Sequence, residues 1–485
     1  MAAEAVVPDR NSSGPVSGEH RTIHRRVSRP LAALLRFLPL AFVVLPGTLR
    51  AQGTDIVATY GQAANRIIEA ATSDSAAYAR LAVLVDRFGH RFSGSRSLER
   101  AIDWVMEEMR ADGLQNVRGE PVMVPRWERG EESAMLVSPR EVELPMLGLG
   151  GSVGTPADGI TAEVLVVSSH DELAARASEA RGRIVLFDAP FTSYGETVAY
   201  RTGGAIEAAR LGAVASLIRS VGPFSMKTPH TGGMGYTAGV PQIPAAAITS
   251  EDASMLHRLA DSGETIVLTL KMSARTLPDV PSRNVIGELV GSELPDEYVV
   301  LGGHIDSWDV GQGAMDDAGG VVATWEAVRI IHDLGLRPRR TIRVVGWTNE
   351  ENGLRGANAY RSQHMASLPR HVLAIESDNG AFNPLGFSFT GSDAAYAILQ
   401  RIGPLLEAIG ANNIARGGGG ADIGPIMQEG VPGGSPIVDG SRYFWYHHTD
   451  ADTLDKLDPA EVGRLTALLA IIAYIVADLP EPLPR

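Results

Sequence analysis

Cysteine is absent from the 485-residue chain. Its absence excludes disulfide bonds, catalysis by a thiolate, cysteine-ligated zinc and the lipid attachment of a lipoprotein. Any metal ion that the protein binds must therefore be held by histidine, aspartate and glutamate side chains. Clusters of lysine and arginine are lacking too. Because the net charge is -14 and the pI is about 5.4, we exclude nucleic acid as a partner.

Hydrophobic runs long enough to span a bilayer are scarce. The run LAALLRFLPLAFVVLPG follows a basic polar stretch and precedes a small-residue cleavage candidate after Ala51. This order predicts a signal segment at residues 1–51 and export to the periplasm or the medium. Arg36 interrupts the run, so a retained N-terminal anchor and a wrongly set start site stay open. The C-terminal run from Leu465 predicts a buried helix, and we expect no stable membrane span after leader cleavage.

The remaining chain divides by pattern. Residues 126–282 are rich in glycine and proline and contain short β-type runs, which predict a small β-rich insert with a helix or two. Residues 52–125 and 283–485 predict the main domain. Its first clear helix has Ser97 as a plausible cap and Gly113 as a plausible stop. From residue 283 strands and helices alternate, which predicts an α/β fold with a mostly parallel sheet and helices on both faces.

Acidic and histidine residues follow three predicted strands. YVVLGG is followed by His304 and Asp306, RVVGWT by Glu350 and Glu351, and VLAIES by Asp378. Two loops contribute more residues of the same kind: Asp316, Asp317, His447 and His448. Because the carboxyl ends of parallel strands meet at one edge of a sheet, we expect these side chains to gather there.

The adjacent pair Glu350–Glu351 needs a positive partner. Like charges in contact raise one another's pKa and destabilise the fold unless a cation lies between them. Two divalent ions sharing one carboxylate, roughly 3.5–4 Å apart, would supply that charge. One glutamate is then a ligand and the other is free to act as a general base.

These segments resemble a known family. The set GGHIDSWDVGQGAMDDAGG, WTNEENGLRGANAY, ESDNGAF and YFWYHHTDADT is similar to the zinc exopeptidases that include bacterial aminopeptidases and glutamate carboxypeptidases. The resemblance implies two Zn²⁺ ions bridged by Asp316. It further implies the other metal ligands and a general base that takes a proton from the bridging water: His304 and Asp378 for one ion, Glu351 and His448 for the other, and Glu350 as the base.

The resemblance also implies supporting residues. Asp306 would orient the His304 imidazole, and Asp317 would follow the bridging aspartate across a cis peptide bond. Asp452, in the DT pair after the double histidine, identifies His448 as the ligand. His447 stands where several relatives carry an oxyanion-stabilising tyrosine. We expect it to take that role, the alternative being that it only packs.

The insert resembles a protease-associated domain, which implies a part in access to the cleft or in a subunit contact. Its histidines have no metal-like spacing and are interpreted as structural or solvated: His170, His230 and His257. The run RGGGGAD predicts a mobile loop whose Asp422 either lines the substrate pocket or has no chemistry. Trp308, beside the first metal motif, is interpreted as core or pocket wall.

The leading hypothesis is a zinc-dependent exopeptidase, an aminopeptidase or dipeptidase that hydrolyses short peptides, most of all unblocked dipeptides. One alternative is a carboxypeptidase releasing acidic C-terminal residues, which needs a basic cluster that the sequence does not identify. Another is a non-catalytic receptor on the same fold, against which the complete ligand set argues. The resemblance also implies a homodimer.

Overall fold

The computed structural model describes residues 55–73 and 75–485. The predicted signal segment at residues 1–51 lies outside the described residues, so export and leader cleavage stay predictions. The helices are α1 (Ile56–Ser73), α2 (Ala76–Phe88), α3 (Arg96–Ala111), α4 (His170–Ala175), α5 (Tyr194–Arg210), α6 (Ser250–Asp261), α7 (Gly319–Asp333), α8 (Arg355–His364), α9 (Asp393–Gln400), α10 (Gly424–Met427), α11 (Tyr443–Tyr446) and α12 (Pro459–Asp478). The strands are β1 (Gln115–Glu128), β2 (Glu132–Ser138), β3 (Val142–Leu144), β4 (Met146–Gly148), β5 (Ile160–Val167), β6 (Ile184–Phe187), β7 (Ala215–Arg219), β8 (Ala245–Ile248), β9 (Val267–Met272), β10 (Arg275–Leu289), β11 (Leu294–His304), β12 (Arg340–Trp347), β13 (His371–Glu376), β14 (Pro384–Thr390), β15 (Asn413–Arg416) and β16 (Gly433–Val438).

The first sheet has the strand order β1-β10-β12-β11-β13-β16-β14-β15. Its central pairs β12–β11, β11–β13 and β13–β16 are parallel, as is β14–β15, while the other pairs are antiparallel. The parallel centre brings the carboxyl ends of β11, β12 and β13 to one edge. The predicted α/β class is therefore confirmed as a mixed α/β fold.

Helices cover both faces of this sheet because its central strands are apolar on both sides. In β11, Val299 and Leu301 pack with α7 and α12 on one face. Val300 points the other way and packs with Tyr360 of α8 and Ile426 of α10. Successive side chains of a strand alternate between faces, so an unbroken apolar run requires cover on both.

The C-terminal helix α12 is long and apolar enough to cross a membrane by length and composition, with a mean hydropathy of 1.8. It packs against α1, α7 and β11 instead, and most of its residues are buried. Asp458 caps its first turn by accepting hydrogen bonds from the Ala460 and Glu461 amides. This agrees with the predicted buried helix.

The N-cap of helix α3 lies two residues before the predicted cap, and the helix begins at Arg96. Ser95 Oγ accepts a hydrogen bond from the Leu98 amide at 3.2 Å, whereas Ser97 donates to the His90 carbonyl. The prediction of Ser97 as the cap was therefore wrong, because Ser95 has the extended backbone that an N-cap requires. Gly113 follows the helix with a φ of 82°, as expected of a stop.

The second sheet has the order β3-β2-β9-β5-β6-β7-β8-β4 and lies between β1 and β10 in the chain. We call residues 129–274 the second-sheet segment. Three helices, α4, α5 and α6, accompany it, one more than predicted. The shortest, α4, starts where Ser169 Oγ accepts from the Glu172 amide, a local cap that outweighs its few apolar residues. Domain boundaries at 126 and 282 stay a prediction.

Candidate metal centre

The predicted metal-type residues meet at the carboxyl edge of the first sheet. His304 ends β11, the pair Glu350–Glu351 lies in the turn after β12, and Asp378 follows β13. Two loops reach the same edge, one before α7 and one after α11, and they bring Asp316, His447 and His448.

His304, Asp316 and Asp378 form the first group. His304 Nε2 lies 3.0 Å from Asp316 Oδ1 and 3.5 Å from Asp378 Oδ1. One ligand atom from each of the three residues lies within 4.8 Å of the others. This spacing suits a single metal ion held between them.

The second group shares Asp316 with the first. His448 Nε2 lies 3.3 Å from Asp316 Oδ2 and 3.0 Å from Glu351 Oε2. Glu351 Oε1 accepts a hydrogen bond from the Trp308 amide at 3.1 Å, which fixes the carboxylate. Oδ1 of Asp316 faces the first group and Oδ2 faces the second, so its carboxylate lies between the two groups.

The hydrogen bonds of the two histidines decide which ring nitrogen faces the carboxylates. His304 Nδ1 lies 3.0 Å from the Asp306 carbonyl oxygen, and His448 Nδ1 lies 3.4 Å from the Thr231 carbonyl oxygen. A carbonyl only accepts, so each ring donates from Nδ1 and its Nε2 faces the carboxylates. The Asp316 and Asp378 carboxylates hold the pKa of His304 well above its usual value in spite of burial, so the Nε2 position favours a positive charge, either a proton or a metal ion.

Buried carboxylates that lie close together repel one another unless a cation lies between them. Asp316 Oδ2 and Asp378 Oδ1 are buried and accept no hydrogen bond. Neutral imidazole nitrogens and carboxylate oxygens are also the donor set that zinc prefers in a site without cysteine. The residues present therefore fit divalent zinc.

Excess negative charge shows in the ionisation of the two glutamates. Burial and the nearby Asp378 and Asp316 carboxylates raise the pKa of Glu350 to about 8. Burial and the same Asp316 carboxylate hold the pKa of Glu351 well above its usual value. A divalent cation among these groups would lower both pKa values, because it stabilises the charged form of each carboxyl group.

Asp306 positions the glutamate pair. Its carboxylate accepts hydrogen bonds from the Glu350 amide at 3.2 Å and the Glu351 amide at 3.4 Å. The contact with His304 Nδ1 comes from the main-chain carbonyl of Asp306, since its carboxylate lies 3.9 Å from that nitrogen. The atom that faces the imidazole thus differs from the one that the sequence led us to expect.

Asp317 and Asp452 hold the backbone around the bridging residue. Asp317 Oδ2 accepts a hydrogen bond from the His304 amide at 3.1 Å. Asp452 accepts from the amides of Met315 at 2.7 Å and Asp316 at 3.2 Å. The Asp316–Asp317 peptide bond is cis, as the resemblance implies.

His447 lies against the second group. Its ring stacks on His448 with centroids 3.5 Å apart, and its Nε2 lies 3.5 Å from Asp316 Oδ2. Burial and the adjacent His448 hold the pKa of His447 well below its usual value. The ring is therefore neutral at pH 7 and has a single N–H to donate.

Tyr443 is a neighbour that the sequence analysis missed. It lies one helical turn before His447, and the two ring centroids are 5.1 Å apart. Burial and the Asp316 carboxylate hold the pKa of Tyr443 well above its usual range, so the phenol stays protonated and can donate. The spacing of four residues from His447 is the sequence signal that could have found it.

The second-sheet segment reaches the double histidine. His230, interpreted from sequence as structural or solvated, is buried, and its Nδ1 lies 2.8 Å from the His447 carbonyl oxygen. His170 stacks on an aromatic ring and His257 contacts a carboxylate, both within the segment. Trp308 is buried in a small apolar cluster and packs on the His448 ring, which agrees with both predicted alternatives, core and pocket wall.

Asp422 is fully buried rather than exposed in a pocket. Burial and the neighbouring Glu376 hold its pKa well above the usual value, and burial together with Asp378 raises the pKa of Glu376 to about 7. The glycine run predicted to be mobile packs on these acids: a Cβ on Gly420 would lie 2.2 Å from the Glu376 carboxyl carbon.

Comparisons with known proteins agree with this geometry. The sequence model of peptidase family M28 matches residues 284–473. Human carboxypeptidase Q is 50% identical over 429 residues, covering 88% of this chain and 89% of the human protein. The crystal structure of a peptidase M28 precursor from Shewanella amazonensis SB2B is 35% identical, with a TM-score of 0.85 over 88% of this chain and 99% of that one.

A more distant structure shares the fold. BSAP, a zinc aminopeptidase from Bacillus subtilis, is 20% identical with a TM-score of 0.64, covering 84% of this chain and 98% of that one. The closer relatives show the family, because their similarity covers 88% of this chain whereas the family model matches residues 284–473. The chain belongs to peptidase family M28.

Proposed function

We propose that this chain is a zinc-dependent exopeptidase that hydrolyses short peptides, above all unblocked dipeptides. The observation that carries the proposal is the carboxylate of Asp316, whose two oxygens face two separate groups of metal-type ligands. The peptidase names of the family and of its relatives, and the zinc named for BSAP, support the same chemistry.

Two Zn²⁺ ions fit the two groups. His304 and Asp378 would hold one ion, Glu351 and His448 the other, and Asp316 would be shared. Such ions, when bound, polarise a carbonyl and lower the pKa of water towards 7. Asp306, which accepts hydrogen bonds from both glutamate amides, keeps Glu351 pointed at the centre while Glu350 stays unligated.

Glu350 is the proposed general base. Its carboxylate takes a proton from the attacking water and delivers it to the amine that leaves as the peptide bond breaks. Burial of Glu350 beside other acids strengthens its hold on the proton between these two transfers.

Two neutral donors flank the bridging aspartate. His447 Nε2 lies 3.5 Å from Asp316 Oδ2, and the Tyr443 ring lies beside the His447 ring with centroids 5.1 Å apart. Either can stabilise the negative charge that develops on the substrate oxygen during attack. The Tyr443 hydroxyl makes no hydrogen bond to the described part of the chain, which leaves it free to donate to substrate.

We further propose that residues 126–282 are a protease-associated-like domain inserted into a main domain of residues 52–125 and 283–485. We propose export through the segment at 1–51 and assembly as a homodimer. The separate second sheet supports the first point, and the order of charge and hydropathy supports the second. The resemblance alone supports the third, which analytical ultracentrifugation would test.

The decisive experiment incubates the purified zinc-loaded protein with three forms of one dipeptide: free, N-acetylated and C-amidated. Cleavage of the free form, alone or with the amidated form, supports the proposal, because a free α-amine is then required. Cleavage of the free form alone indicates a strict dipeptidase, and cleavage of both the free and the amidated forms indicates an aminopeptidase.

Two results would contradict the proposal. Cleavage of the acetylated but not the amidated dipeptide would favour a carboxypeptidase, the activity named for the human relative. No cleavage of any form by a zinc-loaded protein would favour a receptor or scaffold.

A further inference from the structure

The turn that carries the two histidines has an unfavourable backbone conformation. It follows the four-residue helix α11, and His448 has a φ of 60°. A residue with a side chain in this left-handed region costs about 1–3 kcal/mol unless the surroundings hold it there. Something must therefore fix His448 with its Nε2 towards Asp316 and Glu351.

The contacts that fix the turn come from the second-sheet segment. His230 Nδ1 lies 2.8 Å from the carbonyl oxygen of His447. The Thr231 amide donates to the carbonyl of His448 at 2.9 Å, and the Thr231 carbonyl lies 3.4 Å from His448 Nδ1. His230 thus contacts the His447 carbonyl, and Thr231 contacts both the carbonyl and the ring of His448.

His230 is itself held rigidly. It is 1% exposed, and its amide donates to Ser220 Oγ at 2.9 Å. Its Nε2 lies 3.3 Å from the Phe224 carbonyl oxygen. A Cβ on Gly222 would lie 2.6 Å from the His230 ring, so the small residue there makes room for the imidazole.

The imidazole has a specific part in this arrangement. Burial lowers the pKa of His230 to about 4, so the ring is neutral at pH 7 and has one N–H. The shorter of its two carbonyl contacts is the one to His447, which indicates that Nδ1 carries the proton. Without that donor, the buried His447 carbonyl would lose its hydrogen bond to the segment and the turn would lose one of its restraints.

We propose that His230 is a positioning residue of the metal centre: by holding the His447 carbonyl, it keeps His448 in its left-handed conformation and aimed at Asp316 and Glu351. The second-sheet segment is then part of the zinc site, although the predicted zinc ligands lie outside it. The proposal rests on the dizinc exopeptidase function proposed above.

The test compares His230→Leu with His230→Asn. The Asn amide nitrogen is as many bonds from Cα as imidazole Nδ1, so it can still donate to the His447 carbonyl, whereas Leu cannot. His257→Leu is the matched control, because His257 lies in the same segment but contacts Asp188. The readouts are zinc affinity by chelator competition, the urea midpoint of the metal-free protein, and kcat and KM for a free dipeptide.

We expect His230→Leu to bind one of the two zinc ions about 10–100-fold more weakly, the usual effect of removing a residue that orients a ligand. The kcat should fall more than KM rises, and the other zinc ion should stay bound. His230→Asn should keep zinc affinity close to that of the wild type. If His230→Leu does not fold, His230→Gln, whose amide is displaced by one methylene, takes its place.

Three results would overturn the proposal: wild-type zinc affinity in His230→Leu, equal weakening in His257→Leu, or no recovery in His230→Asn. Failure of the underlying function would look different, because the wild-type protein itself would then bind no zinc or leave the dipeptide intact.

Discussion

At the scale of single residues, the neighbours Glu350 and Glu351 have different surroundings. Glu351 faces His448 Nε2 at 3.0 Å, as a ligand would, whereas the Glu350 side chain makes no hydrogen bond to the described residues. Their amides share one acceptor, the Asp306 carboxylate. One turn therefore places Glu351 as a ligand and leaves Glu350 free to act as a base.

Glu350→Gln should leave both zinc ions bound while kcat falls by about 10²–10⁴-fold, because only the proton acceptor is lost. Glu351→Gln is the matched comparison and should instead weaken one zinc ion. Metal content by atomic absorption, measured with steady-state kinetics on a free dipeptide, checks both variants. Full activity in Glu350→Gln would disprove its role as base.

His371 predicts a pH dependence of stability. Its Nδ1 donates to the Ser367 carbonyl at 3.0 Å, its Nε2 faces the Tyr360 hydroxyl at 2.9 Å, and burial lowers its pKa to about 3. In the unfolded chain the histidine has a pKa of about 6.5, so below that pH it is protonated there while it stays neutral in the folded protein. His371 should therefore lower the free energy of unfolding as the pH drops from 6.5 towards 3, and its own contribution between pH 7.5 and 5 is about 2 kcal/mol.

Urea unfolding of the metal-free protein at pH 7.5 and 5 measures this loss. His371→Asn keeps a donor but removes the titrating ring, so its stability should change with pH by about 2 kcal/mol less than that of the wild type. Equal pH dependence in both proteins would contradict the assignment.

The candidate metal ligands could be located from the sequence because hydrophobic periodicity shows where each strand ends. Histidine and acidic residues follow those strand ends directly. It did not reveal the partner of the His447 carbonyl, since His230 lies 217 residues away in the chain. Nor did it identify which atom of Asp306 faces His304, because backbone and side-chain oxygens of one residue are not distinguished by spacing.

At the scale of elements, two glycines of the run from Gly417 to Gly420 lie where a side chain has no room. A Cβ on Gly418 would lie 2.6 Å from the Ser388 carbonyl oxygen, and one on Gly420 would meet the Glu376 carboxylate. These two positions need glycine because other groups approach the backbone closely, while the mobility of the loop stays a prediction.

Gly420→Ala should lower the free energy of unfolding by about 1–3 kcal/mol, the usual effect of forcing an extra methyl group into a filled space. Gly424→Ala is the control. A Cβ there has nothing within 4 Å, and the residue begins α10, so its stability should be unchanged or slightly higher. Urea midpoints of the two variants settle the comparison, and equal midpoints would refute the close packing.

The order of helices and strands was predictable from residue 283 onward, because from there apolar strand segments alternate with segments of helical periodicity. The exact start of α3 was not, since Ser95 and Ser97 are chemically equivalent caps and only the backbone angles select between them. When two serines lie two residues apart, the tertiary structure determines which of them caps the helix.

At the scale of the whole molecule, the centre joins distant parts of the chain. His304 and Asp378 come from the parallel core of the first sheet, and His448 is held by the second-sheet segment. The class of fold could be predicted from the sequence. The contact between His448 and the second-sheet segment could not, because it depends on how loops from the two sheets pack together.

Zinc should stabilise the folded protein strongly, since the metal relieves repulsion among buried carboxylates that the unfolded chain does not have. At free zinc 100 times the dissociation constant, each site adds about 2.7 kcal/mol. Thermal unfolding with added zinc, compared with magnesium as the control ion, tests this. An equal shift with magnesium would argue against a histidine-containing site.

The most direct test of the account is to titrate metal-free protein with zinc while following hydrolysis of a free dipeptide, alongside Asp316→Ala. If one carboxylate serves both ions, activity should become full only as the second equivalent binds, and Asp316→Ala should lose both tight sites. Maximal activity at one equivalent, or two tight sites surviving in Asp316→Ala, would contradict it.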